Sequence, residues 1–385
     1  MISPPAGAAP VPLLLTPGPL TTSRATKEAM LRDFGSRDGA FIALTAELRA
    51  RLPALVVGVA SHVAVPLQGS GTFIVEATLA TLVDPGGKLL VLVNGSYGER
   101  MVAIARRLNR PVEALTWPEH QAIAADRVGQ ALDADPDITH VALVHCETTT
   151  GLLNPLAEIA VVVAGRGKAL LVDAMSSFGA LAIDLQATPI TALMASSNKC
   201  LEGVPGLGFA IIENQALAGS RGNCPSLSLD LYDQWCSFEA NGQWRFTPPV
   251  QVVAALVEAL RQLEAEGGVD ARRRRYQENF EVLASGMAAL GFRLFLDPAI
   301  QAPIIATFHY PEATWFRFDR FYRGLAERGF LIYPGKLSRA DSFRIGCIGA
   351  IGPDDFRRLL VAIREVVSAL QHGAPNESDL TECST

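Results

Sequence analysis

The sequence predicts an α/β protein: a mostly parallel sheet covered by helices on both faces, followed by a smaller α+β unit. Three observations carry this. From residue 87 onward, apolar runs alternate with stretches of helical period: GKLLVLVN, GERMVAIARRLN, PVEALTW, DRVGQALDAD, ITHVALVHCE, PLAEIAVVVAGRG and KALLVDA. The strand-like runs are almost continuously apolar, as strands buried on both faces must be. From Gly291 the pattern changes to short strands (FRLFL, IIATFHY, FLIYP, SFRIGC) among the helices WFRFDRFYRGLAERG and PDDFRRLLVAIREVVSAL.

Composition agrees and excludes several classes. A chain of 385 residues with 49% hydrophobic and 19% charged residues has ample core and is not globally disordered. A net charge of −6 argues against nucleic acid or an anionic membrane as the main partner. No apolar run approaches the roughly 18 residues of a membrane span, and the N-terminus lacks a secretory pattern, so cytoplasm is the expected compartment. The six cysteines are scattered without a CxxC, which suits reduced thiols. The six histidines show no metal-ligand spacing, so no metal is expected. Residues 1–12 and 373–385 read as mobile tails, 13–265 as a large domain to whose site 13–35 contributes, and 266–372 as a smaller domain.

In chain order, LLLTPGPLTTS contains a turn that cannot be helical, and TSRATKEAMLRDF reads as a helix capped at Thr22 or Ser23. AFIALTAELRARLPAL is a second helix. VAVPLQ is extended, GSGT is a turn of small residues, and FIVEATLATLV is helical. Ser70, Gly71 and Thr72 therefore sit at a helix N-terminus, where free amides and the helix dipole suit a phosphate. A plain capped turn is the alternative, and without a P-loop lysine a nucleotide triphosphate is disfavoured. Four further motifs close apolar runs: NGSYG, HCETTTG, DAMSS and SSNKC. In parallel sheets ligands gather at the carboxyl ends of strands, so all these motifs are expected on one rim.

Two of them hold the residues that matter most. Asp173 ends the run KALLVD, and Lys199 follows ITALMASSN. A lysine there can bond the aldehyde of pyridoxal phosphate, and an acid can keep the pyridine nitrogen protonated, making the ring an electron sink. Alone, the pair reads more readily as a strand-end cap and a solvated loop lysine, and the rest of the chain reverses that preference. CPSLSLDLYDQWCSFEANGQWRFTPP reads as a long irregular segment, and long loops in compact domains are usually functional. Two helices follow to Gly291, in which the run Arg272 to Arg275 reads as solvated helix surface rather than a nucleic-acid patch. Arg344 in FRIG lies either on a wet strand face or in a cleft, where it could hold a carboxylate or phosphonate with two hydrogen bonds.

With these residues in view, the sequence from about Leu13 to Leu370 resembles the 2-aminoethylphosphonate:pyruvate aminotransferases. These are class V, fold-type I pyridoxal-phosphate enzymes. The resemblance is carried by LLLTPGPLTTS, LQGSGTF, VHCETTTG, VDAMSSFGA, SSNKC, GVPGLGF, SLSLDLYDQW, WRFTPP, IYPGK and FRIG. It implies a seven-stranded, mostly parallel sheet, pyridoxal 5′-phosphate as cofactor and a homodimer with shared active sites. It further implies that Lys199 carries the cofactor and shuttles the proton, while Asp173 pairs with the pyridine nitrogen. Tyr97 and Met175 would lie on opposite faces of the ring, with Thr148 near its 3-hydroxyl. Ser70, Gly71 and Thr72 would bind the phosphate, and Thr247 would reach the neighbouring subunit's phosphate. Arg344 would take the acidic group of the substrates, an amine donor and a 2-keto acid, beside Gly18 and Pro19. The chain departs from the pattern at Arg37 (GSRD for GSWD), at Cys347 (FRIGCIG for FRIGNIG) and in LMASSNKC. Rival readings are an alanine- or serine–glyoxylate aminotransferase, a lyase or desulfurase using Cys200, and a binding protein without catalysis.

Overall fold

A computed structural model describes residues 11–337 and 340–372. The expected tails 1–12 and 373–385 lie outside the described residues, apart from Val11 and Pro12. A seven-stranded sheet forms the centre, in the order His62–Gln68, Leu207–Glu213, Ala192–Ser196, Ala169–Asp173, Ile138–Val144, Lys88–Val93, Val112–Thr116. Six strands run the same way; only Leu207–Glu213 runs against both its neighbours. The strands are β-branched and leucine-rich and nearly all buried, because helices cover both faces. Fully burying one such aliphatic side chain contributes about 1.5–3 kcal/mol, so the sheet supplies the bulk of the core.

Register aligns the ends of the strands. Val144 pairs with Asp173, and Asp173 with Met194, so the loops that leave these strands open on one edge. On the same edge the strand His62–Gln68 runs into the helix Gly71–Leu82. That helix packs on the reversed strand closely enough that a Cβ on Gly208 would fall 2.9 Å from Ile74.

The second apolar cluster joins Leu283 and Met287 of the helix Gly268–Ala289 to Phe308, Phe321, Phe343, Phe356 and Ile363. It includes Leu15, because Leu13–Leu14 pairs in parallel with Phe330–Leu331. The three-stranded sheet here is Ile305–His309, Ser342–Gly346, Tyr333–Pro334. FLIYP, read as one strand, is thus split: its first half binds the N-terminal segment and its second half this sheet. FRLFL gives only one isolated bridge, Leu294 to Phe308.

Two other expectations need correcting. The segment read as irregular contains the helix Leu231–Asn241. Asp230 caps it by accepting from the Asp233 amide, Leu231 and Phe238 face the core seven residues apart, and Gly242 ends it at φ 73°. The arginine run is not uniformly solvated. Arg273 and Arg274 are exposed, but Arg272 is buried and Arg275 half-buried, both paired with Glu202 and Glu266.

Candidate active site

The aligned strand ends enclose a cavity of about 440 Å³, lined by residues from all the predicted motifs: Ser70, Gly71, Thr72, Tyr97, Thr148, Asp173, Met175 and Lys199. Asp173 is the last residue of its strand and 4% exposed. One carboxylate oxygen accepts from the Met175 amide at 2.9 Å, which fixes the group at the cavity wall. Burial disfavours its charge and pushes it up to about 6. Lys199 stands in the turn after Ala192–Ser196, and its Nζ donates to the Pro17 carbonyl at 2.6 Å. The same desolvation brings its amine down to about 8. Low dielectric thus moves acid and base toward one another, a pattern common at catalytic sites.

Ser70 is the N-cap residue of Gly71–Leu82, yet its hydroxyl makes no capping bond. The plain capped-turn reading therefore does not hold: the Phe73 amide donates to the Ser70 carbonyl, while the Ser70 hydroxyl and the amides of Gly71 and Thr72 stay available to an anion. A Cβ on Gly71 would fall 2.8 Å from the Met175 sulfur, so glycine lets the helix end approach that wall. Tyr97 opens the helix Ser96–Arg107 and is half-buried. Thr148 bonds the Ser176 hydroxyl at 2.7 Å.

The TPGP segment lies directly on the lysine. Gly18 has φ 125°, and a Cβ there would sit 2.8 Å from Lys199 Nζ. Gly18→Ala is therefore expected to push the Lys199 amine aside and weaken cofactor retention while the protein still folds, because the collision falls on a flexible side chain and the backbone strain is only about 1–3 kcal/mol. The ratio of bound cofactor to protein after purification, set beside the melting temperature, checks this.

Arg344 is on neither a wet face nor an open wall. It is 2% exposed within Ser342–Gly346, donating to the carbonyls of Pro334 at 3.2 Å and Thr148 at 3.1 Å. Its guanidinium thus stands immediately behind a residue of the cavity. Thr247 is not brought to this cavity. With Ser36, Arg37, Trp244 and Arg245 it lines a separate one of about 320 Å³, so within its own chain it does not serve Lys199. Arg37 is exposed there, and Cys347 is fully buried.

Sequence reasoning missed three neighbours. Arg100 stands 4.8 Å over the Tyr97 ring and donates to the Thr72 hydroxyl at 3.0 Å. Its spacing from Tyr97, one helical turn, was the available signal. Asn198 lines the cavity beside Lys199. Glu147 is fully buried, held by the Thr149 amide and hydroxyl, and one carboxylate oxygen has no hydrogen-bond partner. Burial pushes it up to about 7.

These donors fit pyridoxal phosphate: an uncapped helix N-terminus with Ser70, Thr72 and Arg100 for the phosphate, a buried carboxylate, and an amine that burial makes easier to deprotonate. A family model described as aminotransferase class-V matches residues 31–335. The chain belongs to that family. Among curated relatives of this class V aminotransferase is the 2-aminoethylphosphonate–pyruvate transaminase of Pseudomonas putida (strain GB-1). It is 53% identical over 360 residues, covering 94% of this chain and 98% of the relative. The 2-aminoethylphosphonate–pyruvate transaminase 2 of Burkholderia lata is 54% identical over 359 residues, covering 93% and 96%. Among solved structures, an alanine–glyoxylate aminotransferase from Nostoc sp. superposes with a TM-score of 0.87 at 27% identity, covering 93% of this chain and 96% of that one. An aspartate aminotransferase of subgroup IV from Thermus thermophilus gives 0.83 at 26% identity, covering 93% and 99%. The fold is that of the fold-type I aminotransferases, as the sequence predicts.

Proposed function

We propose that this class V aminotransferase moves the amino group of 2-aminoethylphosphonate to pyruvate, giving phosphonoacetaldehyde and L-alanine, in phosphonate catabolism. The observation that carries this is identity above 50%, over more than nine-tenths of both chains, to relatives named for that reaction. The site's chemistry agrees with it.

The roles divide by position. Ser70, Thr72, Arg100 and the amides that open Gly71–Leu82 hold the cofactor phosphate. Tyr97 and Met175 flank the ring, Thr148 lies near its 3-hydroxyl, and Asp173 as carboxylate keeps the pyridine nitrogen protonated. When bound, pyridoxal phosphate supplies an electron sink for the pair left behind as the donor carbon loses its proton. Lys199 would take that proton from the donor carbon and deliver it across the nitrogen to the former aldehyde carbon, two bonds away, and its lowered basicity makes the free amine more available than on an ordinary lysine. Gly18 and Pro19 line the substrate side, and Arg344, which in this structure donates to the carbonyls of Pro334 and Thr148, would have to turn its remaining N–H groups past Thr148 to orient the acidic group. A guanidinium fork matches phosphonate in one half-reaction and carboxylate in the other.

Thr247 completes the phosphate site of a second copy, so the working unit is a homodimer. The half-exposed Phe73, at the mouth of the phosphate site, and Phe246, next to Thr247, support this as apolar surface. No helix among the described residues is long and apolar enough to cross a membrane, in keeping with a cytoplasmic enzyme.

A donor panel tests the substrate. With pyruvate as acceptor, 2-aminoethylphosphonate is expected to exceed alanine, serine, taurine and β-alanine in kcat/KM by about 10²-fold or more. If alanine or serine with glyoxylate proves the better pair, the phosphonate assignment fails and the alanine–glyoxylate reading replaces it.

A further inference from the structure

Three residues after Lys199, Glu202 has a left-handed backbone at φ 59°; among the described residues only Asn109 shares this outside glycine. Such a position favours glycine or asparagine, so a glutamate there is kept for its side chain. Its carboxylate is almost wholly buried. Oε1 accepts from the Tyr276 hydroxyl at 2.6 Å and from Arg275 Nη2 at 2.8 Å, with Arg272 Nη1 at 3.3 Å. Glu266 bonds the Nε atoms of both arginines at 2.7 and 2.8 Å, so two acids face two bases and the cluster is neutral.

The cluster has two ends. At one it holds the lysine turn: the Glu202 amide donates to the Lys199 carbonyl at 2.8 Å, and Arg272 Nη1 to the Cys200 carbonyl at 2.6 Å. At the other it holds the turn that leaves the Arg344 strand. Arg275 Nη1 donates to the carbonyls of Gly349 at 2.6 Å and Ile351 at 2.9 Å, and the Gly349 amide donates to the Tyr276 hydroxyl at 3.3 Å. That turn in turn meets the segment over the lysine, through the Ala350 amide and the Thr21 carbonyl at 2.8 Å. Buried ion pairs add little net stability over apolar packing, whereas they fix direction closely.

We infer that Glu202 is a positioning residue for Lys199, and that through Arg275 and Tyr276 it locks the lysine turn to the turn behind Arg344, so that substrate capture and proton transfer share one geometry. This rests on Lys199 carrying the cofactor, as proposed above. Glu202 touches neither substrate nor cofactor; it acts through the backbone on each side.

The holoenzyme variants Glu202→Gln and Tyr276→Phe test it. The readouts are the pH midpoint of the visible absorption band, the single-turnover rate with 2-aminoethylphosphonate, KM, and hydrogen exchange in residues 347–351. For Glu202→Gln the midpoint is expected to move by about half a pH unit or more. The single-turnover rate should fall about tenfold with KM within about twofold, and exchange in 347–351 should rise. Tyr276→Phe should move each readout the same way by less, and it decides alone if Glu202→Gln does not fold. A midpoint and single-turnover rate at wild-type values, with only the melting temperature lowered, would overturn the inference by making the cluster purely structural. A wild-type protein with no visible band would instead refute the assignment of Lys199 on which it rests.

Discussion

Lys199→Ala is expected to abolish turnover, by about 10⁵-fold or more, in a protein that still folds. The side chain is mostly buried but ends in the cavity, so its loss enlarges an existing polar space and leaves no apolar void, and the Pro17 carbonyl that accepts its hydrogen bond can turn to water. Circular dichroism and melting temperature should therefore stay close to wild type while both half-reactions stop. Residual activity above about one per cent would remove Lys199 from its role. The wild-type apoprotein offers a second check. Its amine is brought from 10.5 down to about 8, so the uncharged, nucleophilic form grows as pH rises through that value. The rate of covalent capture of pyridoxal phosphate is expected to climb up to about pH 8 and then level. An exposed lysine would go on accelerating toward pH 10.5.

Asp173→Asn should lower turnover by about 10³-fold while the cofactor still binds. The amide keeps the shape and can still accept from the Met175 amide, but it cannot hold a proton on the pyridine nitrogen by charge. The pH response of the wild type follows from the same group. Burial raises Asp173 to about 6, so the carboxylate required for pairing is present above that pH and lost below it. Cofactor affinity is expected to fall as pH drops through about 6 in the wild type and to be flat there in the Asn variant. The dissociation constant measured from pH 5 to 8 decides; turnover in the variant within tenfold of wild type would sink the electron-sink role.

Asp173 and Lys199 were legible because apolar runs state where buried strands end, and a polar residue at such an end has few places to go. GSGT was legible for a similar reason, its small residues marking a helix start. What escaped depends on partners far away in the chain. Arg272 reads as surface until Glu202 is seen to pair with it from far away in the chain; Glu266, only six residues before it, is a partner within reach of a local reading. Arg344 looks like one of two strand faces, yet it is buried because carbonyls from residues 148 and 334 receive it. Arg100 matters only once the helices Ser96–Arg107 and Gly71–Leu82 converge. The helix Leu231–Asn241 was hidden by its polar composition, although Asp230 and Gly242 mark its two ends.

The pairing of Leu13–Leu14 with Phe330–Leu331 bears on how the enzyme comes into being. Leu13 and Leu14 find their strand partner only once Phe330 and Leu331 exist. The stretch that lies over Lys199 follows directly from that pairing. Contacts of such sequence separation form late, since the entropy of closing the long loop must be met first. The segment that lies over Lys199 is anchored to the second apolar cluster and not to the central sheet that carries the lysine, so loosening that cluster would loosen the cover of the cavity as well.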